Sequence, residues 1–324
     1  MSIVYVNSKL YLKDAVDFTQ YIMNIEADSE NYKLITIIGE EHYKKLKCNI
    51  GSDKLISIEE FILRTPDIKT KIILETPEEF KDTINSYNIQ NILKTLRESN
   101  PEKIKNISTV YLDNRYLFVD INYIYWLYNE TDKIIYLSND VIIKEYITPF
   151  YEKIATLSRY YKDDKYDNLV NIMYNNYLPN VGKMFDNLHI LISNNWDKMN
   201  VESKTKTIKD IKDVWMKVCD FYVLRELFKI NDIQEYIILI GNMHSNNINK
   251  YFKDVLCQPI EYKTHFCEIV EPKLLKYSEK PELYNCISLN NVTKIILKDD
   301  DKYRKPNFDI CRKRNAVKIF GGEG

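Results

Sequence analysis

Two distant segments of the chain share one pattern: an apolar run, a glycine, and a histidine three residues after the glycine. Residues 34–38 lead to Gly39 and His42, and residues 236–240 lead to Gly241 and His244. Each run predicts a buried strand, and the residues after each glycine predict the start of a helix. Two such units on neighbouring strands would aim both imidazoles at one crevice. The alternative is that both histidines are ordinary polar residues at helix starts.

Strands and helices alternate over the N-terminal third of the chain. Further strands are predicted at residues 3–6, 71–74 and 108–112. Apolar spacing and capping residues predict helices at residues 14–25, 57–63, 78–87, 89–97 and 244–256. The second of these has Ser57 at its cap and Glu60 at the capping-box position. The alternation predicts an α/β fold with a mostly parallel central sheet flanked by helices, in which ligands bind at the carboxyl ends of the strands.

The middle of the chain has a different rhythm. Residues from about 117 to 230 predict a large helical insertion between the two Gly-x-x-His halves. Its helices are expected at residues 119–128, 141–161, 166–177, 181–196 and 208–228, with interruptions at Pro149 and Pro179. We therefore expect a single α/β domain over residues 1–271 that includes the insertion. An irregular C-terminal extension is expected over residues 272–324.

Composition narrows the class of protein. The chain has 46 Lys and Arg against 47 Asp and Glu, so no overall charge attracts nucleic acid or a membrane surface. No apolar run approaches the roughly 20 residues of a membrane span, and the first residues lack the pattern of a secretory signal. The six cysteines contain no Cys-x-x-Cys and do not predict a disulfide framework. These features predict a soluble, cytoplasmic protein. The partner that we expect is a small-molecule or peptide substrate.

Acidic residues stand beside the first histidine and at the end of the next strand. Glu40 directly follows Gly39, and Glu75 closes the strand at residues 71–74. A glutamate close to a histidine can orient it, bind a metal with it, or act as a general base toward water. The alternative is an exposed acid favoured by a helix N-terminus, which is the interpretation preferred for Glu41.

Other candidate residues lie beyond the third strand and in the helix before the second motif. Arg115 can stabilise an oxyanion, whereas its alternative role is a structural pair with Asp113 at a turn. Residues 220–228 predict a helix that carries Tyr222 and Arg225, against the alternative of ordinary core packing with a solvated charge. The residues expected to contact substrate are Asp113, Tyr222, Arg225 and Asn242.

These motifs resemble those of a superfamily that joins the erythromycin esterases, the ChaN haem-binding lipoproteins, the TraB/PrgY proteins and the Tiki proteases. The similarity lies in the paired Gly-x-x-His motifs, the acid that closes the next strand and the downstream Asp-x-Arg, and it covers residues 34–115 and 220–256. The pattern Asp-x-Tyr-x-Leu-Arg-x-x-Phe at residues 220–228 is most similar to members encoded by large DNA viruses, which implies a location in host cytoplasm or a virion. The chain departs from the family at Asn242-Met243, where several relatives have smaller residues, and at Tyr116, where some have an acid.

The resemblance implies an α/β sheet with an active crevice lined by Glu40, His42, Glu75, Arg115 and His244. The first hypothesis is a hydrolase of ester or peptide bonds, in which His42 or His244 activates water and Arg115 stabilises the oxyanion. A divalent metal such as Mn²⁺, Co²⁺ or Zn²⁺ would be held by Glu40, His42, Glu75 and His244.

The second hypothesis is a non-catalytic relative that binds a ligand such as haem, or a structural or virion protein on the same fold. Two further alternatives concern other segments. One is nucleic-acid binding by the basic residues of the C-terminal tail. The other is a zinc site, whose spacing matches no zinc module, built from Cys257, His265, Cys267 and Cys286.

Overall fold

The structure is a computed structural model of the chain. It describes residues 2–6, 11–13, 15, 17–24, 32–40, 55–63, 68–75, 98, 101, 105–112, 126, 127, 129–157, 168–227, 229, 232–252, 265–270, 286–288 and 292–296. The chain divides into two compact units. The sheet unit comprises Met1–Glu75, Glu79–Tyr111 and Asp232–Gly324, and the helical unit comprises Thr76–Glu78 and Leu112–Asn231.

The described strands all belong to the sheet unit, and the described helices are shared between the units. In chain order the strands are β1 (Ser2–Val6), β2 (Tyr11–Lys13), β3 (Asp17–Asn24), β4 (Tyr32–Glu40), β5 (Leu55–Ile56), β6 (Thr70–Leu74), β7 (Ile107–Tyr111), β8 (Glu235–Gly241), β9 (His265–Val270), β10 (Cys286–Ser288) and β11 (Val292–Ile296). The α-helices are α1 (Ile58–Leu63), α2 (Thr131–Ile134), α3 (Asn139–Ile142), α4 (Thr148–Leu157), α5 (Asn168–Asn195), α6 (Val201–Leu227) and α7 (Asn242–Tyr251). A π-helix (Ile143–Ile147) precedes α4, and a 3₁₀-helix (Trp196–Lys198) follows α5.

Six strands form one sheet in the order β7-β6-β8-β4-β3-β9. The pairs β7–β6, β6–β8 and β8–β4 are parallel, whereas β4–β3 and β3–β9 are antiparallel. The predicted α/β fold with a mostly parallel sheet is confirmed at this level. Because β8 lies between β4 and β6, the strand from the second motif separates two strands that are consecutive in the predicted alternation.

Branched aliphatic residues explain the parallel strands. Ile35, Ile37, Ile73 and Ile238 are fully buried, and the strand predictions that rest on such runs are confirmed as β4, β6 and β8. The strand predicted at residues 108–112 is confirmed as β7. Strands covered on both faces show continuous apolar runs rather than alternation, which is why β4, β6 and β8 were recognisable in the sequence, whereas β7 is partly exposed and contains Ser108 and Thr109.

The two faces of the sheet have different covers. One face packs on α1, where the rings of Phe18 and Phe61 meet edge to face at 5.7 Å between centroids. The other face packs on α7, which contacts β3, β4 and β8. On that side the ring of Tyr21 stands edge-on to Phe252 at 4.7 Å. The helix that carries His244 is therefore held on one defined face of the sheet.

Strand β3 differs from the prediction. Residues 14–25 are predicted as a helix because apolar residues recur there at helical spacing, yet Asp17–Asn24 is a strand. It is paired on both sides, and residues 18–21 are all buried. Burial on both faces removes the alternation by which a strand is recognised, and the pairing partners lie elsewhere in the chain.

The capping box at the start of α1 is confirmed. The N–H of Glu60 donates to Oγ of Ser57 at 3.1 Å, and the N–H of Ser57 donates to Oε2 of Glu60 at 3.1 Å. These reciprocal bonds satisfy two backbone donors that a helix start otherwise leaves to water.

We expect Ser57→Ala to lower the free energy of unfolding by about 1 kcal/mol, because it removes the acceptor for the Glu60 N–H. Urea denaturation followed by circular dichroism measures the change. Ser57→Asp keeps an acceptor at the cap and is expected to unfold near the wild-type midpoint; equal losses in both variants would contradict the capping role.

Aromatic residues build the core of the helical unit. The indole N–H of Trp215 donates to the carbonyl of Tyr146 at 3.0 Å, and the Trp215 ring lies 4.3 Å from the Phe150 ring. Phe150 in turn stacks on Phe185 at 5.9 Å. These contacts join the π-helix, α4, α5 and α6 through large buried side chains.

The predicted interruption at Pro179 is wrong, because α5 runs through it without a break. Buried residues of α5 begin directly before the proline and recur every three or four positions after it: Leu178, Val181, Phe185, Leu188 and Ile192. Proline removes one helical hydrogen bond, at a cost of about 3 kcal/mol, and the burial of this continuous stripe offsets that cost. The interruption predicted at Pro149 is also wrong, because α3, the π-helix and α4 follow one another without a gap over residues 139–157.

The C-terminal extension also differs from the irregular structure that the sequence predicts. Strand β10 pairs with β2 and strand β11 pairs with β1, both antiparallel. The partners of β10 and β11 lie near the start of the chain, so no local sequence pattern predicts these two strands.

The helices predicted at residues 78–87 and 89–97 lie outside the described residues. No helix within the described ranges combines the length and the apolar character needed to cross a membrane.

Candidate active site

The second Gly-x-x-His motif forms the junction of β8 and α7. Strand β8 ends at Gly241, which is the N-cap of α7, and the helix begins at Asn242. His244 therefore lies in the first turn of the helix. Its residue exposure is 5%, so the imidazole is held inside the fold. The predicted order of strand, glycine and helix start is confirmed for this motif.

The carboxylate of Glu75 reaches this junction from the neighbouring strand. The backbone N–H of Glu75 donates to the carbonyl of Leu239 at 3.2 Å, which places Glu75 beside the end of β8. Its Oε2 accepts the N–H of Gly241 at 2.6 Å, and its Oε1 lies 3.0 Å from Nε2 of His244. The exposed side-chain fractions are 12% for Glu75 and 6% for His244. The two side chains form a shielded pair at the carboxyl edge of the sheet.

This contact determines how the imidazole carries its protons. An ionised carboxylate only accepts hydrogen bonds, so Nε2–H of His244 donates to Glu75 and the lone pair of the neutral ring is on Nδ1. The same carboxylate stabilises the imidazolium that forms when Nδ1 takes a proton. Because Glu75 also accepts the N–H at the helix N-cap, the helix dipole favours its negative charge. A carboxylate that orients an imidazole in this way is one of the two parts of a general-base arrangement, and the other part is a substrate within reach of Nδ1.

A second polar cluster, here called the Asp17 cluster, joins α7 to β3. The carboxylate Oδ2 of Asp17 accepts hydrogen bonds from Oγ of Ser245 at 2.8 Å and from Nδ2 of Asn249 at 2.9 Å. Asn249 also donates to Oγ1 of Thr19 at 3.2 Å and accepts from the hydroxyl of Tyr21 at 2.9 Å. These bonds fasten α7 to the sheet directly beside His244.

Gly39 allows α7 to approach the sheet closely. A Cβ atom at this position would lie 2.6 Å from Oγ of Ser245 and 2.9 Å from Cβ of Asp17. Both distances are shorter than ordinary Cβ contacts, so a side chain here would displace one of these groups. The glycine of the first motif is thus required by the helix that carries the histidine of the second.

The sheet brings the ends of the two motifs together. Glu40 is the last residue of β4, and its backbone is paired with that of Gly241 in the parallel ladder. Because β6 flanks β8 on the other side, Glu75 completes a row of three strand ends. The predicted site residues that lie outside the described residues are His42, Asp113 and Arg115.

The predicted substrate contacts are distributed over both units. Asn242 is the first residue of α7. Tyr222 and Arg225 lie on α6 in the helical unit, where Tyr222 is buried with its ring 6.4 Å from that of Phe221 and Arg225 is half-buried. The role of all three in binding a substrate stays a prediction.

The chemistry of the donor set decides how a metal would fit. Both carboxylate oxygens of Glu75 already accept hydrogen bonds, one from Gly241 and one from His244. This matches the arrangement in which a carboxylate orients a histidine whose other nitrogen binds a metal. Among the residues that the structure describes, no group of three or more His, Cys, Asp or Glu side chains could hold a metal ion. The predicted set with Glu40 and His42 therefore stays a prediction, as does the zinc site, whose Cys257 lies outside the described residues.

The residues of the Asp17 cluster were not predicted from the sequence, and the reason differs between the helix and the strand. Ser245 and Asn249 are polar residues four apart, on the face of α7 where Ile248 and Tyr251 are buried, and that placement is a usable signal. Asp17 has no such signal, because its segment resembles a helix and its partners lie more than two hundred residues away, as Asp17 and Ser245 are 228 apart.

No protein-family model, curated protein or solved structure matches the chain. The resemblance to the erythromycin esterase, ChaN, TraB and Tiki superfamily thus stays a prediction from the motifs.

Proposed function

We propose that the protein is a hydrolase of ester or peptide bonds that uses His244 as its general base at the carboxyl edge of the sheet. The observation that supports this most is the shielded contact of 3.0 Å between Oε1 of Glu75 and Nε2 of His244. A carboxylate that holds one imidazole nitrogen directs the basic lone pair of the other toward a reacting group. The carboxyl edge of a parallel sheet is also where α/β folds bind their ligands.

In the proposed reaction Nδ1 of His244 takes a proton from water while the water oxygen attacks the carbonyl carbon. Glu75 keeps the ring oriented and stabilises its positive charge during this step. Arg115 stabilises the negative charge on the carbonyl oxygen. The imidazolium then returns its proton to the leaving alcohol or amine, so the ring ends neutral. Glu40 and His42 are assigned to the same crevice by the resemblance.

Mn²⁺, Co²⁺ or Zn²⁺ would be held by His244 together with Glu40 and His42, with Glu75 as the orienting carboxylate rather than a ligand. Bound there, the ion would supply a Lewis acid that lowers the pKa of water. Metal analysis of protein purified without chelator tests this part. Stoichiometric metal that persists in the double variant His42→Ala/His244→Ala would exclude the site.

A non-catalytic role is the second candidate, as a binder of a haem-like ligand or as a structural protein. The observation that favours it is the burial of His244, which is only 5% exposed. A histidine that is hydrogen-bonded and shielded also stabilises a fold without any reaction.

Hydrolysis assays separate the two candidates. The wild-type protein is tested on nitrophenyl esters, a peptide library and phosphoesters, with and without added divalent metal. Hydrolysis that is lost in His244→Gln and kept in His189→Gln supports the enzyme, because His189 is an exposed histidine in the helical unit. No turnover on the whole panel, together with a haem absorption band on titration, would favour the binding role.

A further inference from the structure

One carboxylate oxygen on β3 holds two successive turns of α7. Oδ2 of Asp17 accepts from Ser245 in the first turn at 2.8 Å and from Asn249 in the next turn at 2.9 Å. Ser245 is the neighbour of His244 in the chain, and it is fully buried. Any rotation or shift of the helix start therefore changes the Asp17 contacts and the His244 contact together.

We propose that Asp17 is a positioning residue for His244: through Ser245 and Asn249 it holds α7 at the rotation that places the imidazole on Glu75. This inference rests on the proposed function, since it assigns the residue that positions the general base. Asp17 acts through the helix and does not touch the reacting atoms.

The helix start is held by carboxylates from two strands on opposite sides of β8 and β4. Glu75, after β6, binds the Gly241 N–H and the imidazole, and Asp17, at the start of β3, binds the helix from the other end of the row. Asp17 comes to this edge because β3 is antiparallel to β4, which pairs Asp17 with Gly39. Glu75 and Asp17 each accept two hydrogen bonds from this region among the described residues. A shift of α7 along its axis, or a rotation about it, would break at least one of these four bonds.

The other residues of the Asp17 cluster further restrain the position of α7 on the sheet. Thr19 and Tyr21 project from the same face of β3 as Asp17, and both bond to Asn249. Gly39 removes the side chain that would separate Ser245 from the sheet. A hydrogen-bonded cluster of this kind fixes one geometry, because every alternative leaves a buried polar group without its bond.

Nuclear magnetic resonance of the histidine side chains tests the proposal without any substrate. The chain has only four histidines, so the His244 signals are assigned by their absence from His244→Gln. In the wild-type protein we expect long-range proton–nitrogen correlations to show a single tautomer with the proton on Nε2. In Asp17→Ala we expect the second tautomer to appear, and kcat for any substrate found to fall by about 10- to 100-fold with KM unchanged.

Thr36→Val is the matched control. It removes the acceptor of the buried hydrogen bond from Nε2 of Gln20, 3.0 Å long, on the face of the sheet away from α7. We expect it to lower the thermal midpoint comparably to Asp17→Ala while leaving the His244 tautomer unchanged. Asp17→Asn keeps an acceptor oxygen and is expected to restore the single tautomer.

An unchanged tautomer in Asp17→Ala would overturn the proposal and leave Asp17 a purely structural residue. If Asp17→Ala does not fold, Ser245→Ala decides the matter. It removes the hydroxyl that bonds to Asp17 at 2.8 Å and to the carbonyl of Asn242 at 3.0 Å, while Asn249 keeps its bond to Asp17, and it should still produce the second tautomer. A protein that shows these tautomer changes but hydrolyses nothing would refute the proposed function and keep the positioning role.

Discussion

Replacing Glu75 by glutamine is expected to lower kcat for the proposed hydrolysis by about 10²–10⁴-fold, because it moves the proton on His244 to the wrong nitrogen. Within the described part of the chain, the carboxylate accepts hydrogen bonds from the Gly241 N–H and from Nε2–H of His244. An amide offers only one acceptor oxygen. With that oxygen on Gly241, the amide NH₂ faces Nε2, which must then be unprotonated. The lone pair of the ring then points at residue 75. Nδ1 carries the proton instead, so it cannot accept another proton from water.

Two measurements check this result. Steady-state kinetics on the substrate found in the panel give kcat, and long-range proton–nitrogen correlations give the tautomer of His244. We expect the wild-type ring to be protonated on Nε2 and the Glu75→Gln ring on Nδ1. A Glu75→Gln protein with wild-type kcat, or with the wild-type tautomer, would remove Glu75 from the role assigned to it.

Glu235→Gln is the control for a buried carboxylate. Glu235 begins β8, at the end of the strand opposite the site, and is 3% exposed. Its Oε2 accepts from the hydroxyl of Thr70 at 3.3 Å. The same substitution here is expected to reduce stability by about 1–3 kcal/mol while kcat and the His244 tautomer stay at wild-type values.

Gly39→Ala is expected to lower the free energy of unfolding by about 2–4 kcal/mol, a large loss for the addition of one methyl group. The added Cβ would lie 2.6 Å from Oγ of Ser245 and 2.9 Å from Cβ of Asp17. Either α7 moves away from β4 or the bond between Ser245 and Asp17 is broken. Both responses open the packing between the helix and the sheet.

Gly182→Ala is the control that should move stability in the opposite direction. Gly182 lies inside α5, and a Cβ there would meet nothing within 4 Å. Alanine in a helix is favoured over glycine, so we expect a gain of about 0.5–1 kcal/mol. Urea denaturation of both variants measures the pair. A Gly39→Ala protein as stable as the wild type would show that close approach of α7 is not required.

Sequence patterns predicted correctly those elements of the fold that are determined by residues close together in the chain. The runs that became β4, β6 and β8 are apolar on both faces, and the capping box of α1 lies within four residues. Each of these signals is contained in a short window of sequence. The same holds for the junction of β8 and α7, where an apolar strand, Gly241 and a helix start follow one another directly.

Predictions failed where distant partners outweighed local preference. Strand β3 has helical spacing in its apolar residues, but pairing with β4 and β9 stabilises the strand. Helix α5 contains Pro179, but the buried residues that flank it, Leu178, Val181 and Phe185, maintain the helix. In both cases the energy comes from contacts that a short window of sequence does not contain.

The candidate site divides in the same way. The two Gly-x-x-His motifs and Glu75 can be recognised in the sequence, because in each case polar residues directly follow an apolar run. Only the tertiary structure decides that β8 enters the sheet between β4 and β6, and that order places Glu75 on His244. It also shows that Gly39 makes room for Ser245 and that Asp17 binds α7. Strand order and close packing depend on contacts between residues far apart in the chain, so no short sequence pattern predicts them.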